Sequence, residues 1–487
     1  MSQISLTYER LKAAGNITNE AIIQNLINYD INSKEKKKKV DGENYYDAEN
    51  SEIIEKISKA YALFKEHKIP SGFYKEIVDQ ITSYCVGKEI VIENLKDDKI
   101  IDVNDFIYDL YLETRKKGIS WLYLYMNRAG QLKYKVIDSL EIIAIYDTEF
   151  EDELKEIIRY YKMMVVENNQ EFYRYKVEVY DTEKVSYYME DEKGEFNFDL
   201  NVQTNPIFYN TNLFKVLGKE TKVENFGWGV VPFIPLRNNS KDLYDLQVIK
   251  KYIDLYDVLI SGFANNIELF QEAILKVKDR GAQDWEEFWA LLKKYKIITC
   301  DDVSAVGDVD YLKIDIPYEA RECFLNIIRD NIYEFAQAVD TRKLGDGNIT
   351  NVVIKSRYAN LDLKADAGIK EIKKFLYSLY EFINIYKKIK NQSLENIEKL
   401  NFIFNKKMIF NETEIIEGVT KSDGIISKKT NIANHPFVTN VDEELEQIKI
   451  EDAQYDDENN EDEDVNNTKN KENIINMNNP DNKEGSI

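Results

Sequence analysis

The sequence predicts an α+β chain, predominantly helical, with long helices, a small antiparallel sheet and a small α/β insert. Three observations predict it. Leu246, Ile249, Ile253, Tyr256, Ile260, Phe263, Ile267 and Phe270 recur at spacings of three and four, a narrow seam with the period of helix against helix. The seven prolines stand at 70, 206, 232, 235, 317, 436 and 480, so 236–316 and 318–435 can hold unbroken helices. Between 119 and 200 apolar and polar residues alternate, the pattern of strands with one wet face.

In chain order, a polar helix is expected around Asn19 to Ile31, and the basic run Lys34 to Lys39 reads as a solvated loop or as a contact for an acidic neighbour or nucleic acid. Ile53, Ile57, Tyr61 and Phe64 make one helical stripe; Phe73, Ile77, Ile81 and Tyr84 make another after the Pro70-Ser71-Gly72 turn. Ile119 to Met126, Phe172 to Tyr180, Val185 to Met189 and Glu195 to Leu200 read as strands of a meander. After an extended Val230 to Leu236 and a polar turn comes the first seam helix. The insert 273–316 combines strands at Ala273 to Val277 and Lys296 to Cys300, a short helix at Asp284 to Lys294, and a closing strand at Leu312 to Ile316.

Pro317 opens a second seam helix through Leu325, Ile328, Ile332, Phe335 and Val339. The loop Asp340 to Asn348 holds two glycines in three residues. A third helix runs from Thr350 to Ile389, roughly 60 Å at 1.5 Å per residue. Its seam passes through Gly368, read as a bend or close-packing point, or else as a tolerated glycine. Residues 401–410 are extended, 412–450 hold two short helices with Ser427 as an N-cap, and the tail from Glu451 carries twelve acids against three lysines, a composition of disorder.

Composition narrows the function. At 487 residues the chain has ample core, and 43% hydrophobic residues exclude a wholly disordered protein. The net charge of −23 argues against binding nucleic acid by phosphate neutralisation, though not against a surface that DNA passes without sticking. No apolar run spans a bilayer and the amino terminus lacks a signal-peptide stretch, so no membrane role is expected. Cys85, Cys300 and Cys323 fit buried thiols in a reducing compartment. With two histidines and no CxxC, HExxH, GxSxG or GxxxxGK[ST] string, neither an enzyme, a metal site nor a cofactor is expected.

Five strings carry a family resemblance: Phe73 to Ile90, Tyr173 to Tyr180, Val231 to Asn239, Gly347 to Lys364 and Gly424 to Glu446. In this order, around a helix–insert–helix–loop–long-helix core from about Tyr45 to Glu451, the chain resembles the portal (head–tail connector) proteins of tailed bacteriophages, in the branch common among phages of Gram-positive hosts. Thr350-Asn351 departs from the Ser-Gly that the family tends to have after the loop.

The resemblance implies a portal fold. After an N-terminal segment (1–40), residues 41–241 would be wing, 242–272 a stem helix and 273–316 the clip. Residues 317–339 would be the returning stem helix, 340–349 the tunnel loop, 350–410 the long wing helix and returning strand, 411–450 the crown, and 451–487 a disordered acidic tail. It implies a ring of about twelve copies at one capsid vertex, a closed assembly built from head-to-tail contacts. Double-stranded DNA would pass through it without sequence specificity, and it would dock a terminase-type packaging motor, head-completion or adaptor proteins, and the major capsid or scaffold protein. Assembly in the host cytoplasm and residence in the virion follow.

Several residues are candidates within that scheme. Asp242, Asp245, Asp254, Asp257 and Glu268 flank the first stem seam as tunnel-lining candidates. Arg342, Lys343, Leu344, Gly345, Asp346, Gly347 and Asn348 form the loop expected to touch DNA. Trp285, Phe288 and Trp289 are either core anchors of the clip or a docking surface. The rival readings are an oligomeric virion or scaffold protein without a conduit, and an acidic α+β enzyme with a hidden carboxylate site.

Overall fold

The computed structural model describes residues 3–451 except 16, 52, 54–66, 97–99, 128, 150–152, 168–169, 203, 217–218, 271–273, 279–293, 296, 301–307, 313–317, 345–350, 407–411 and 439. The chain is α+β, mostly helical with small sheets. It divides into a larger unit, 1–341 with 358–408, and a smaller one, 342–357 with 409–487.

Three helices open the larger unit: α1 (Gln3–Ala13), α2 (Asn19–Ile31) and α3 (Lys34–Tyr46). The basic run is thus the start of a helix, which corrects the loop expected there. Ser33 caps it by accepting from the Lys36 N–H at 3.0 Å. Lys36 is turned inward to Asp30 and the Tyr160 hydroxyl. Helix α4 (Phe73–Val86) follows as the stripe predicts, then β1 (Val91–Glu93) and α5 (Ile107–Lys117). Of the Ile53–Phe64 stripe, residues 54–66 lie outside the described residues.

The meander is β2 (Ile119–Met126), β3 (Leu132–Ile137), β4 (Ile142–Tyr146), β5 (Leu154–Glu167), β6 (Gln170–Tyr180), β7 (Lys184–Glu190) and β8 (Phe196–Phe198), all pairing antiparallel. It forms two sheets. Strands β4 to β8 pair in sequence order, with β9 (Ile207–Phe208) on β7. Strand β12 (Phe233–Arg237) pairs with β2, which pairs with β3. Ile22, Ile23, Leu26 and Ile27 of α2 pack on Ile143, Ile158 and Val177 of the larger sheet. A hairpin, β10 (Asn210–Val216) and β11 (Lys219–Phe226), precedes β12.

Helix α6 (Leu246–Phe270) carries the first seam and α7 (Tyr318–Ala336) the second. Helix α6 begins four residues after the expected Asp242, because Asp242 adopts a positive φ of 53° in the preceding turn. Between the two helices lie β13 (Ile274–Lys278), β14 (Ile297–Cys300) and β15 (Asp308–Leu312); β13 is central, parallel to β14 and antiparallel to β15. This last strand thus starts four residues before the expected Leu312, and 313–316 lie outside the described residues. The helix expected at 284–294 falls almost wholly outside the described residues.

Helix α8 (Asn351–Ile389) is 39 residues long, and Tyr358, Leu361, Ala365, Ile372, Phe375, Leu379 and Phe382 are buried along the predicted seam. At Gly368 an added Cβ would collide with the Tyr111 hydroxyl, so the glycine is a close-packing point. Strand β16 (Asn401–Ile403) pairs with β1. In the smaller unit, α9 (Glu412–Lys421) and α10 (Lys428–Ala433) are joined by a third helix over 441–451, and Ser427 caps α10 as expected. Cys85 is buried, but Cys323 is exposed, which corrects the expectation of buried thiols. Among the described residues no helix is long and apolar enough to cross a membrane.

Candidate functional site

The first half of the α6 seam is core. Leu246, Ile249 and Ile253 are buried against Phe73, Tyr74, Ile77 and Val78 of α4 and Ile328, Ile332 and Tyr333 of α7. Phe73 lies edge-on to Tyr256 and Tyr333. The first half of the narrow seam is thus filled within one chain, whereas Ile267 farther along is exposed.

A second side of α6 is zipped to the segment before α4. Asp257 accepts from the Ser71 N–H at 3.0 Å, Ser261 from Ile69 at 2.9 Å, and Asn265 from His67 at 2.8 Å. Positions four apart on the helix meet alternate residues of an antiparallel extended strap, because both repeat at about 6–7 Å. Asp257 also accepts from Asn50 and is fully buried. Burial pushes its carboxyl above the ordinary range.

A buried ion cluster anchors the N-terminus of α6. Arg115, Lys116 and Lys117, all buried, end α5, where the helix dipole favours cations. Gly118 then turns at φ 88°, and an added Cβ there would strike the Asp242 carbonyl. Asp245 sits between the Arg115 guanidinium and the Lys364 ammonium of α8, each at 2.7 Å. Burial raises its carboxyl, but Arg115 and Lys364 outweigh that and hold it below the usual range. Burial pushes Lys364 down to about 8, against the pull of Asp245. Lys364 also donates to the Ala336 carbonyl at the end of α7. One carboxylate thus ties α5, α6 and α8 together, and its partner lysine reaches α7. Lys116 and Lys117 are matched by Glu43, Glu113 and Asp138, whose carboxylates could otherwise group around a metal.

The chain leaving α7 is clamped. The Gln80 side chain both donates to the Val339 carbonyl at 2.9 Å and accepts from its N–H at 2.8 Å. Arg329 grips Asp340 with Nε at 2.8 Å and Nη2 at 2.9 Å. The loop expected to touch DNA starts from this fixed point. Arg342 and Lys343 are exposed in a single 3-10 turn, Thr341–Leu344. Gly345, Asp346, Gly347 and Asn348 lie outside the described residues, as do Trp285, Phe288 and Trp289.

The tunnel-lining candidates need correction. Asp245 and Asp257 are internal partners. Asp254 is mostly buried and accepts from the Tyr45 hydroxyl. Asp242 pairs with Arg237 at 3.3 Å in a separate cavity, and the Glu268 side chain is outside the described residues. A carboxylate flanking an apolar seam is as readily recruited by the chain's own cations as by solvent, and spacing alone does not distinguish the two. Exposed acids stand instead on α7, where Glu319, Glu322, Asp330 and Glu334 share one side.

Helix α7 presents three faces. At 100° per residue, Ile328, Ile332 and Ala336 point into the core. Phe324, Ile327 and Phe335, 45–50% exposed, lie about a third of a turn away, and the acids fill the remaining third. Helix α6 adds Val248, Leu255 and Val258, exposed on the side opposite its seam. Between the two helices lies a groove of about 150 Å³ bordered by Val258, Gly262, Phe263 and Phe324.

A family model described as phage portal protein, SPP1 Gp6-like, matches residues 26–458. The portal protein of Bacillus phage SPP1 is 29% identical over 443 residues, covering 87% of this chain and 82% of that protein. The portal protein of Clostridium phage phiCD119 is 29% identical over 413 residues, covering 79% and 85%. A solved structure, the neck of a native GTA particle computed with C12 symmetry, aligns with a TM-score of 0.35 at 8% identity over 80% of this chain and 94% of that one. The match begins within α2 and runs past the last helix of the smaller unit, taking in the paired helices, the clamp and the long α8: the chain belongs to the phage portal protein family, SPP1 Gp6-like.

Proposed function

We propose that copies of this chain close into a ring of about twelve at one capsid vertex through heterologous contacts, and that DNA enters and leaves through its axis. The observation that carries this reading is the three-faced α7. One face fills the chain's own core, one carries half-exposed apolar side chains, and one is acidic. Apolar side chains in a row beside the α6 stripe suit a second copy of the same pair; the groove at Gly262 offers room for a neighbour's side chain. The acidic face suits a wall that repels phosphate, so that DNA slides without being held by counterion release.

In this scheme 41–241 and 350–410 form the wing, α6 and α7 the stem, 273–316 the clip and 411–450 the crown. Arg342 and Lys343 touch DNA transiently from the clamped loop, and Trp285, Phe288 and Trp289 of the clip face the motor or adaptor. A terminase-type motor supplies ATP hydrolysis, while adaptor and capsid or scaffold proteins bind the outer surfaces. Assembly takes place in the host cytoplasm, and the chain itself acts as a conduit without catalysis.

The test is Leu255→Asp with Ile327→Asp. Both positions are exposed, so the subunit is expected to keep its melting temperature and circular dichroism while negative-stain images lose their rings. Rings that persist would refute the stem contact.

A further inference from the structure

We propose that a cavity between α2, α3 and the β2 and β4 strands is a binding site for a compact ligand bearing clustered phosphates. It measures about 830 Å³ and is lined by seven cations against three carboxylates, in a chain of net charge −23. Six cations matter here: Lys34, Lys36, Lys38, Lys39, Arg237 and Lys241. Three are matched within the chain: Lys36 to Asp30 at 3.1 Å, Lys38 to Glu35 at 2.9 Å and Arg237 to Asp242 at 3.3 Å. Lys34, Lys39 and Lys241 have no carboxylate within ion-pair distance among the described residues.

Lys39 is the informative one. It is partly enclosed, its nearest acceptor is the Ser139 carbonyl at 3.4 Å, and the charges facing it are Asp30, Asp242, Asp138 and Lys36. Burial pushes its ammonium pKa down because the nearby carboxylates do not offset the lost hydration, and an anion seated beside it would draw that pKa back up. Burial also pushes the Asp242 carboxyl up against the pull of Arg237 and Lys39. Ser33 and the first turn of the 13-residue α3 form another wall, adding helix N–H groups and the positive end of its dipole. Cations from the first turn of α3, its middle, the end of β12 and the turn before α6 thus converge on one volume. Clustered phosphates match that geometry better than a single carboxylate.

The experiment is isothermal titration of the full chain with sodium tripolyphosphate, and in parallel with a nucleoside triphosphate, a short DNA duplex and oligoglutamate. Saturable binding of tripolyphosphate, one per subunit, is expected, weakened at least about tenfold in Lys34→Ala/Lys241→Ala and unchanged in the control Lys133→Ala/Lys135→Ala, two exposed lysines that do not line the cavity. Both altered lysines are exposed, so an unchanged melting temperature keeps the comparison sound. Preference for tripolyphosphate or nucleotide supports a free phosphate ligand; preference for duplex supports a nucleic-acid backbone. No binding, equal loss in the control, or equal affinity for oligoglutamate overturns the proposal. The readout is per subunit, so it stands or falls apart from ring formation.

Discussion

Asp245 shows how one residue settles the entry to the stem. It stands just before α6, and its carboxylate answers Arg115 and Lys364 at the same distance of 2.7 Å. Asp245→Asn leaves two buried cations facing an amide, and urea unfolding should show a loss of about 3–5 kcal/mol. Lys364 gives a pH signature. Its folded pKa of about 8 lies below the ordinary 10.5, so between those values the unfolded chain holds a proton that the folded chain lacks. Its contribution to stability therefore rises with pH across that window. The difference in unfolding free energy between the native chain and Lys364→Met should shift in favour of the native chain between pH 8 and 10; a flat difference would contradict the assignment. Asp245, depressed, acts in the opposite range: its contribution is complete above the ordinary 3.8 and fades as pH falls below it. Gly368→Ala should cost about 1–3 kcal/mol by overpacking against Tyr111, read as a lower melting temperature; an unchanged one would mean that α8 shifts freely.

At the scale of elements, the clamp at the end of α7 makes a separate prediction. Arg342 and Lys343 are exposed trypsin sites just past the Arg329–Asp340 pair and the Gln80 bracket. Asp340→Ala should lower the melting temperature and, at temperatures well below unfolding, speed cleavage at these two positions in limited proteolysis more than at other sites. An unchanged rate would show that the ion pair does not hold the loop. The paired helices themselves were legible from sequence because burial at three- and four-residue spacing leaves a periodic trace, as do the alternating strands and the Ser427 cap. Long-range partners leave no such trace. Lys34 to Lys39 reads as a solvated run because nothing near it in sequence announces Tyr160 and the Leu140 carbonyl as partners for Lys36. The acids beside the α6 seam looked free because Ser71, Tyr45 and Arg115 lie 130 or more residues away. On α7 the converse holds: the apolar period of Leu325, Ile328, Ile332 and Phe335 marks a seam and leaves no trace of the acidic face. The family resemblance, placed at Tyr45 to Glu451, proved somewhat narrower than the match over 26–458.

On the scale of the whole molecule, the chain has two electrostatic characters. Most of it is acidic, and the exposed side of α7 shares that sign, whereas the cavity beside α3 concentrates unmatched lysines. A conduit favours the first arrangement, since a basic wall would hold DNA with an affinity that falls steeply with salt. The role of the acidic side depends on how many copies assemble and on what they surround, whereas the cavity lies within one subunit. The most direct measurement is the mass and rotational symmetry of the purified full chain, by native mass spectrometry together with particle images. A closed ring of about twelve subunits with an axial opening wide enough for a DNA duplex is expected. Subunits that stay single at high concentration, or an assembly without a central opening, would contradict it.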